Sequence, residues 1–349
     1  MGPCRRGSSG ERSWGLGRES VGRRPRGKRV SVSEDGGERE CFGSLSADVW
    51  LVLGAGLRRR KLTGRLIDSF AAEFGERCAV VGTDELLLGV RGGRLTLHDL
   101  HGCEVAAPAT AYGRVWTPVA STDREITLLR HLEAMGTALL NPVDAVVACL
   151  NKFWHLQQLA VAGLPVPDTL SYANAPLGEA IGAGVPQPCV VKAVRGHRGE
   201  QVFLAPDAVM LQGIHGSLGQ DAPYLFQEYV AHSHGRDLRV VVVDGRPVAS
   251  QVRTSPHGDF RSNLAMGGTA TLCTGSYPEG EALAVRAAEV LGLGVAGVDL
   301  LFTPDGGFTI CEVNANVGWR EQMRDVTPAV VAALRSRLAA KGRSVPAAR

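Results

Sequence analysis

The chain is poor in aromatic residues, at 5%, so aliphatic side chains must build its core. It has no Cys-x-x-Cys pair, although eight cysteines occur, at 4, 41, 78, 103, 149, 189, 273 and 311. Several sit in apolar runs ("ERCAVV", "PCVV", "TICEV"), the pattern of buried free thiols in a reducing compartment. No apolar run approaches the ~18 residues of a membrane span. Residues 1–45 lack the apolar middle of a signal peptide. A cytoplasmic protein that meets no membrane is expected. No internal repeat is visible. No Gly-Lys-Ser/Thr follows a glycine loop, so a Walker-type phosphate loop is excluded. Gly54 and Gly56 invite a dinucleotide reading, but Arg59 stands where a third glycine is needed, and a strand ending in a turn explains them.

Basic residues are not clustered on the body of the chain. The formal net charge is +3. Residues 1–45 hold ten Lys/Arg against six Asp/Glu, which leaves 28 against 29 for the rest. A near-neutral body is no nucleic-acid surface. The first 45 residues also hold ten glycines and little apolar pattern, so they cannot offset their ordering entropy and read as a disordered tail.

What is present points to a folded protein of more than one domain. The chain has 349 residues, 44% hydrophobic and 21% charged, enough for two or three domains. "ADVWLVLGAG" (47–56) reads as a buried strand, and "GRLIDSFAAEF" (64–74) as an amphipathic helix. Strands "RCAVVG" and "ELLLGVRGGRLTLHDL" follow, the second folding back at Gly92-Gly93. "DREITLLRHLEAMG" (123–136) carries Ile126, Leu129, Leu132 and Met135 at helical spacing and stops at Gly136. Residues 46–140 therefore form a small open α/β domain. "NPVDAVVACLNKFWHLQQLAVAG" (141–163) is helical in two pieces. Residues 186–236 give strand, glycine loop, strand, helix and strand. "RVVVVDGRPVASQVR" (239–253) is a hairpin about Asp244-Gly245. "GEALAVRAAEVLG" (280–292) and "PAVVAALRSRLAA" (328–340) are helices that flank two further strands. The second half is mostly antiparallel, so the class is α+β. The units are 141–223, 224–342 and a short tail, 343–349.

Three groups of residues carry chemistry. Asp299 lies inside an apolar strand, "VAGVDLLF", where a carboxylate is costly unless it is paired or bound to a metal. Glu312 and Asn314 fall on one face of the strand "TICEVNAN". Two carboxylates and an amide oxygen are hard ligands and suit magnesium that arrives with a nucleotide. The second group is "YLFQEYVAHSHGRDLRV", a strand that leaves the core into a polar loop with Asp237. A third comprises cations in apolar settings: Lys152, Lys192, Arg239, Arg253 and Arg261. Arginine clamps carboxylates and phosphates. A strict two-residue turn at Asp244-Gly245 pairs Arg239 with Ser250 and puts Arg253 on the opposite face. If both arginines serve one pocket, a three-residue turn with a bulge is needed.

Together, "LNKFWHLQQLAVAGLPVPDTLSY", "VVKAVRGHRGEQVFLA", "PYLFQEYV", "SHGRDLRVVVV", "GDFRSNLAMGG", "GVAGVDLLF" and "CEVNANVG" resemble the ATP-grasp ligases of the RimK-like branch, over about residues 47–320. "NKFW", "RGHRG" and "NANVG" look most like the animal N-acetylaspartylglutamate and β-citrylglutamate synthetases. The resemblance implies an ATP-grasp fold, two α+β lobes with ATP between them, behind a pre-ATP-grasp domain.

It also implies roles. Lys152 and Lys192 contact ATP phosphates, with Lys192 near the adenine. Gly196, His197, Arg198 and Gly199 form the lid. Gln227, Glu228, Tyr229 and Val230 are the adenine hinge, and Asp237 is the ribose contact. Asp299, Glu312 and Asn314 hold two magnesium or manganese ions. Arg253 binds a substrate carboxylate, together with Arg239. Arg261, Ser262 and Asn263 sit at the transferring phosphate, with Arg261 and Arg253 as the catalytic pair. The implied activity is ADP-forming ligation of L-glutamate to a small carboxylate such as an N-acyl amino acid or citrate, through an acyl phosphate. A ligase that adds glutamate to a protein end, and an ATP-binding regulator without turnover, stay open as alternatives, as does a homo-oligomer. After "NANVG" the chain departs from the family pattern with "WREQMRDVTPAVV", near the expected acceptor pocket.

Overall fold

The structure is a computed structural model that describes residues 29–32, 39–42, 45–54, 57, 61–115, 123–196, 201–218, 223–256, 258–262, 264 and 267–343. Met1–Gly43 and Ser44–Arg349 are separate compact units. In the first, β1 (Arg29–Val32) pairs antiparallel with β2 (Arg39–Phe42). This short ribbon stands where the composition predicts only a disordered tail. Alternating valines in "RVSV" supply its β-propensity.

The second unit opens with a parallel sheet, as the alternation of strands and helices predicts. β3 (Val49–Leu53) lies between β4 (Cys78–Gly82) and a later strand, Thr110–Arg114, with helix α1 (Lys61–Phe74) as the crossover. β5 (Leu86–Arg91) and β6 (Arg94–Asp99) turn at Gly92-Gly93, both at positive φ, and β7 (Glu104–Val105) extends that antiparallel sheet. β8 (Thr110–Arg114) then returns to the parallel sheet. After α2 (Glu125–Ala134), β9 (Ala138–Leu139) closes its edge. Ile126, Leu129 and Leu132 are buried as their spacing requires, and Gly136 ends the helix at φ +95°.

α3 (Val143–Ala148) and α4 (Lys152–Val161) lead into a second lobe. There β10 (Thr169–Ser171), α5 (Leu177–Gly182), β11 (Cys189–Ala193), β12 (Val202–Ala205), α6 (Ala208–His215) and β13 (Tyr224–Glu228) follow, and the sheet order is β10-β13-β11-β12. This corrects two boundaries. β13 belongs to the second lobe, so the lobe does not end at 223. Residues from α3 and α4 pack in the large core rather than in the second lobe. The physical reason is that β13 is the central partner of both β10 and β11.

The third sheet has the order β16-β15-β14-β17-β18. Its strands are β14 (Arg236–Val243), β15 (Arg246–Thr254), β16 (Thr269–Leu272), β17 (Val295–Phe302) and β18 (Phe308–Asn314), all antiparallel. α7 (Pro278–Val290) contributes Ala284, Ala287 and Ala288 to the core that also holds Leu238, Val240, Val298 and Val313. The final helix, α8 (Val326–Arg343), buries Val330 and Leu334 with Val49 and Leu51 of β3 and Val241 and Val243 of β14. The α+β class stands, and one continuous apolar core joins the parallel sheet to the third sheet. Cys78, Cys149, Cys189, Cys273 and Cys311 are free thiols. Cys103 is disulfide-bonded, against the expectation of free thiols throughout.

Asn141 fixes the end of the third sheet. Its buried amide donates to Val295 O at 2.9 Å and Ala315 O at 2.8 Å, and accepts from Val295 N at 2.7 Å. Three bonds of about 1 kcal/mol each converge on the strands that carry Asp299 and Asn314. Asn141→Ala is expected to lower unfolding free energy by roughly 2–4 kcal/mol in urea titration, since it strands buried backbone groups. A loss within ~0.5 kcal/mol of wild type, typical of surface changes, would contradict this role.

Candidate functional site

Two bulges build the polar face of the third sheet. Asp244 and Gly245, at φ +49° and +73°, form a two-residue turn between Val243 and Arg246. The three-residue turn expected from the sequence is therefore absent, but the bulge it was meant to provide exists further along. Val242 faces Pro247, whereas Val241 faces Ala249, so Val248 is the inserted residue. Pro247 has no N–H to offer a ladder, which suits it to a bulge. The shift pairs Arg239 with Gln251 and Asp237 with Arg253. Arg239 also faces Asp299 across β17, and Asp299 faces Glu312 across β18. All five charged side chains thus share one face, with Asn314 two residues beyond Glu312. Leu238, Val240, Val298 and Val313 point the other way, into the core.

The charges on that face form one cluster. Arg239 donates to Asp299 through Nε, and through Nη2 at 2.6 Å. Arg253 Nε donates to Asp237 Oδ1 at 2.7 Å, and its Nη2 reaches both Asp237 and, at 3.1 Å, Asp299 Oδ1. Asp237, Arg253 and Asp299 are buried. Burial pushes the Asp299 carboxyl up, but Arg239 and Arg253 outweigh it and hold the group below its ordinary value. For Asp237, burial outweighs Arg253 and the carboxyl is raised. Burial pulls Arg253 down, yet Asp299 and Asp237 keep its guanidinium firmly protonated.

A second slip falls between Asp299 and Leu300, where Cys311 is the inserted residue of β18. Lys192, on β11 of the second lobe, donates from Nζ to Cys311 Sγ at 3.4 Å and to Gln227 Oε1 at 2.6 Å. Lys152 follows the N-cap Asn151, whose side chain accepts from Phe153 N at 2.8 Å. Its backbone N–H binds Val194 O at 2.9 Å. Its Nζ donates to Gly196 O at 2.9 Å and lies 3.5 Å from Glu312 Oε1. Both predicted lysines therefore bridge the second lobe to β18. Burial raises the Glu312 carboxyl, but Lys152, with help from His155 and Lys192, outweighs it and holds the group below its ordinary value.

The expected hinge leaves β13 beside the same lysines. Gln227 Nε2 donates to Thr169 Oγ1 at 3.1 Å. Glu228 N donates to Asp168 O at 2.8 Å and Tyr229 N to Pro188 O at 3.1 Å. Val230 O accepts from Ser233 N at 3.0 Å. The Tyr229 hydroxyl bonds His234 Nδ1, and His234 Nε2 binds Gly258 O at 2.9 Å. Gly235, at φ +65°, closes this corner: an added Cβ would come within 2.7 Å of Asp259 O and closer still to Ser255 Oγ. The loop that crosses it carries Arg261, whose Nη2 bonds Asp259 Oδ2 at 2.8 Å, and Ser262, half-buried.

Two expectations change. Asp237 does not present an open carboxylate for a ribose, because Arg253 takes both of its oxygens. Arg253 is not an open clamp either, since Nε and Nη2 are engaged by the two aspartates. Predicted residues His197, Arg198, Gly199 and Asn263 lie outside the described residues. Sequence reasoning missed Asn141, Gln251, Cys311 and His155. His155 is buried in α4 with neither ring nitrogen partnered, and burial lowers its pKa to about 4 against the pull of Glu312. Its place on the inner side of an amphipathic helix was the only signal.

The face suits a hard cation that brings oxygen ligands of its own. Asp299 and Glu312 are cross-strand partners, Asp299 with both oxygens now bonded to Arg239, and Asn314 stands two residues beyond Glu312. No cluster of three His, Cys, Asp or Glu able to hold a metal exists among the described residues. Further ligands must therefore come from a bound molecule, as in a nucleotide–magnesium complex.

Comparison with known proteins agrees with this geometry. The model of the RimK-like ATP-grasp domain matches residues 149–334. Beta-citrylglutamate synthase B of Danio rerio is 45% identical over 241 residues, 68% of this chain and 59% of that protein. N-acetylaspartylglutamate synthase A of Mus musculus is 39% identical over 281 residues, 79% of this chain and 74% of that protein. The solved ATP-grasp ligase PsnB, complexed with a phosphomimetic variant of minimal precursor, Mg and ADP, shares the fold at a TM-score of 0.60 and 22% identity. That match covers 84% of this chain and 99% of PsnB.

Gly235→Ala should displace the Arg261 loop and lower activity with little loss of global stability, read as kcat beside the melting temperature; unchanged kcat would contradict the loop's role. Acid titration tests Glu312. Its depressed folded pKa contributes stability that is complete above the unfolded value of about 4.3 and is lost as pH falls through the lower folded value. Lys152→Met should flatten that acid limb and cost about 1 kcal/mol at neutral pH, measured by urea unfolding against pH. An identical acid limb in the variant would show that Lys152 is not the controlling charge.

Proposed function

We propose, from the premise that this chain belongs to the RimK-like ATP-grasp family, that it joins L-glutamate to a small carboxylate with conversion of ATP to ADP and phosphate. The observation that carries this reading is the bridge at Lys152, which links the glycine loop at Gly196 to Glu312. That bridge puts a phosphate-class cation against a metal-class carboxylate at the join of two lobes.

The chemistry needs no protein nucleophile. An oxygen of the acceptor carboxylate attacks the γ-phosphorus, the bond to the bridging oxygen breaks, and ADP leaves. The amine of glutamate then attacks the acyl carbon, loses a proton, and phosphate departs with the oxygen that attacked it. Such a reaction is accelerated by positioning and by charge placed where negative charge develops. Lys152 and Lys192 hold the phosphates. Gln227, Glu228, Tyr229 and Val230 seat the adenine. Arg261, with Ser262 and Asn263, meets the transferring phosphoryl group. Arg239 and Arg253 offset the carboxylates of the face, so that Lys152 and Lys192 leave an excess of positive charge to receive acidic substrates, and Asp237 holds Arg253 in place rather than reaching the ribose.

Asp299, Glu312 and Asn314 would hold magnesium, which would offset charge on the phosphoryl oxygens; two carboxylates leave room for a second ion. Asp299 would have to yield an oxygen now bonded to an arginine. The acceptor is a polycarboxylate or an N-acyl acidic amino acid, as the names of the two relatives suggest. No helix among the described residues is long and apolar enough to cross a membrane, and a cytoplasmic enzyme without nucleic-acid partners fits that composition.

The test is ADP release over citrate and N-acetylaspartate, each with L-glutamate. Carboxylate-dependent release is expected, and Glu312→Ala should lower kcat by about a hundredfold or more. Release that ignores the carboxylate, or full turnover in Glu312→Ala, would overturn the reading. Tight ATP binding with no turnover would favour a regulator.

A further inference from the structure

The parallel sheet delivers an arginine to the third sheet's polar end. Arg114 is the last residue of β8, at the carboxyl edge of parallel strands, the edge at which open α/β sheets receive ligands. Its Nη2 donates to Val317 O at 3.3 Å. Val317 packs so tightly on Gly297 that a Cβ there would approach its Cγ2 to 2.5 Å, and Arg239 Nη1 lies 3.5 Å from the same point. Gly297 is the register partner of Asn314. Arg114 and Arg239 thus both lie against the contact between Val317 and Gly297.

Arg114 is in an expensive position. Only 7% of it is exposed, and its Nη1 is buried with no hydrogen-bond partner. No carboxylate pairs with it in any ion pair among the described residues. Its guanidinium lies 4.6 Å from the Trp319 ring and 5.9 Å from the Tyr112 ring. Aromatic faces stabilise a cation but do not satisfy its N–H groups. Tyr112 is wholly buried, and among the described residues its hydroxyl meets no polar group but Arg114. Burial raises its pKa, against the charge and side-chain hydrogen bond of Arg114, so the hydroxyl is neutral and its proton has no acceptor.

Eight buried polar side-chain atoms lack partners among the described residues. Half of them belong to this neighbourhood: Tyr112 Oη, Arg114 Nη1, Asn314 Nδ2 and Asn316 Oδ1. Three of the four are donors. An unpaired buried guanidinium beside unmatched donors calls for an acceptor-only anion.

We propose that Arg114 and Tyr112 form a carboxylate subsite that holds a non-reacting carboxylate of the acceptor, so that the parallel-sheet domain helps select which acid is activated. The inference rests on the ligase reading. It makes the acceptor an acid with at least two carboxylates, one held here and one directed at ATP. Closure of an acid into the subsite would place the missing charge beside Arg114 and settle the orphaned donors together. Both residues precede the segment matched by the family model, so this choice of acid is a property of the preceding domain.

The test uses the full chain, with citrate and N-acetylaspartate as probes. Thermal shift without ATP measures acid binding, and steady-state kinetics separate KM for the acid from KM for ATP. Arg114→Met should raise KM for the acid at least tenfold, equivalent to about 1.4 kcal/mol, and abolish the acid-induced thermal shift while KM for ATP stays within about twofold. Tyr112→Phe, which keeps the ring, should raise KM for the acid severalfold, and serves if Arg114→Met fails to fold. Unchanged acid KM and thermal shift in both variants would overturn the proposal, as would a wild-type chain that neither acid stabilises. A wild-type chain stabilised by an acid but inert in ADP release would support the subsite and sink the ligase reading instead.

Discussion

The ion pairing of Asp299 with Arg239 and Arg253 is the constraint on which the rest of the site depends. A carboxylate in the middle of an apolar strand would be expelled or protonated if left alone. Two arginines from two neighbouring strands keep it ionised. They can do so only because Val248 is inserted in β15, which restores Arg253 to the face of Arg239. Were Val248 paired in the ladder instead of bulged out, the register would shift by one and put Arg253 on the apolar face of Leu238 and Val298. One inserted residue therefore decides whether the sheet has a charged face or an unworkable core.

The second inserted residue, Cys311, does related work on β18. It lets Glu312 stand opposite Asp299 while Cys311 turns toward Lys192. The charged face is thereby coupled to the second lobe through Lys192 and Lys152. Movement of that lobe would change the field at Glu312 directly, since Lys152 dominates the attraction that keeps its carboxyl ionised. Binding of a polyanion at the join would draw both lysines to it and release Glu312 toward a cation. Nucleotide binding and metal binding would then be linked by ordinary charge exchange.

Much of this was legible in the chain. Helical spacing placed Ile126, Leu129 and Leu132 correctly, and Gly92-Gly93 and Asp244-Gly245 marked their turns. Asp299, Glu312 and Asn314 were readable because strand alternation fixes a face and charge inside an apolar run is anomalous. Parity even required a bulge for Arg239 and Arg253, though its position after a two-residue turn was not readable, because Pro247 marks it only weakly. What stayed hidden depends on contacts between distant segments. Asn141 and Ala315 lie 174 positions apart, and Arg114 and Val317 lie 203 apart; no local pattern announces either. The partner of Asp237 was hidden for the same reason: a polar residue at the start of a strand looks open until Arg253, 16 residues on, is seen to bond it.

In the proposed reaction the acceptor's own oxygen passes to phosphate, and oxygen-18 in the acceptor carboxylates follows it. One labelled oxygen is expected in the inorganic phosphate for each turnover with glutamate. Unlabelled phosphate, formed by attack of water on ATP, would contradict that reaction.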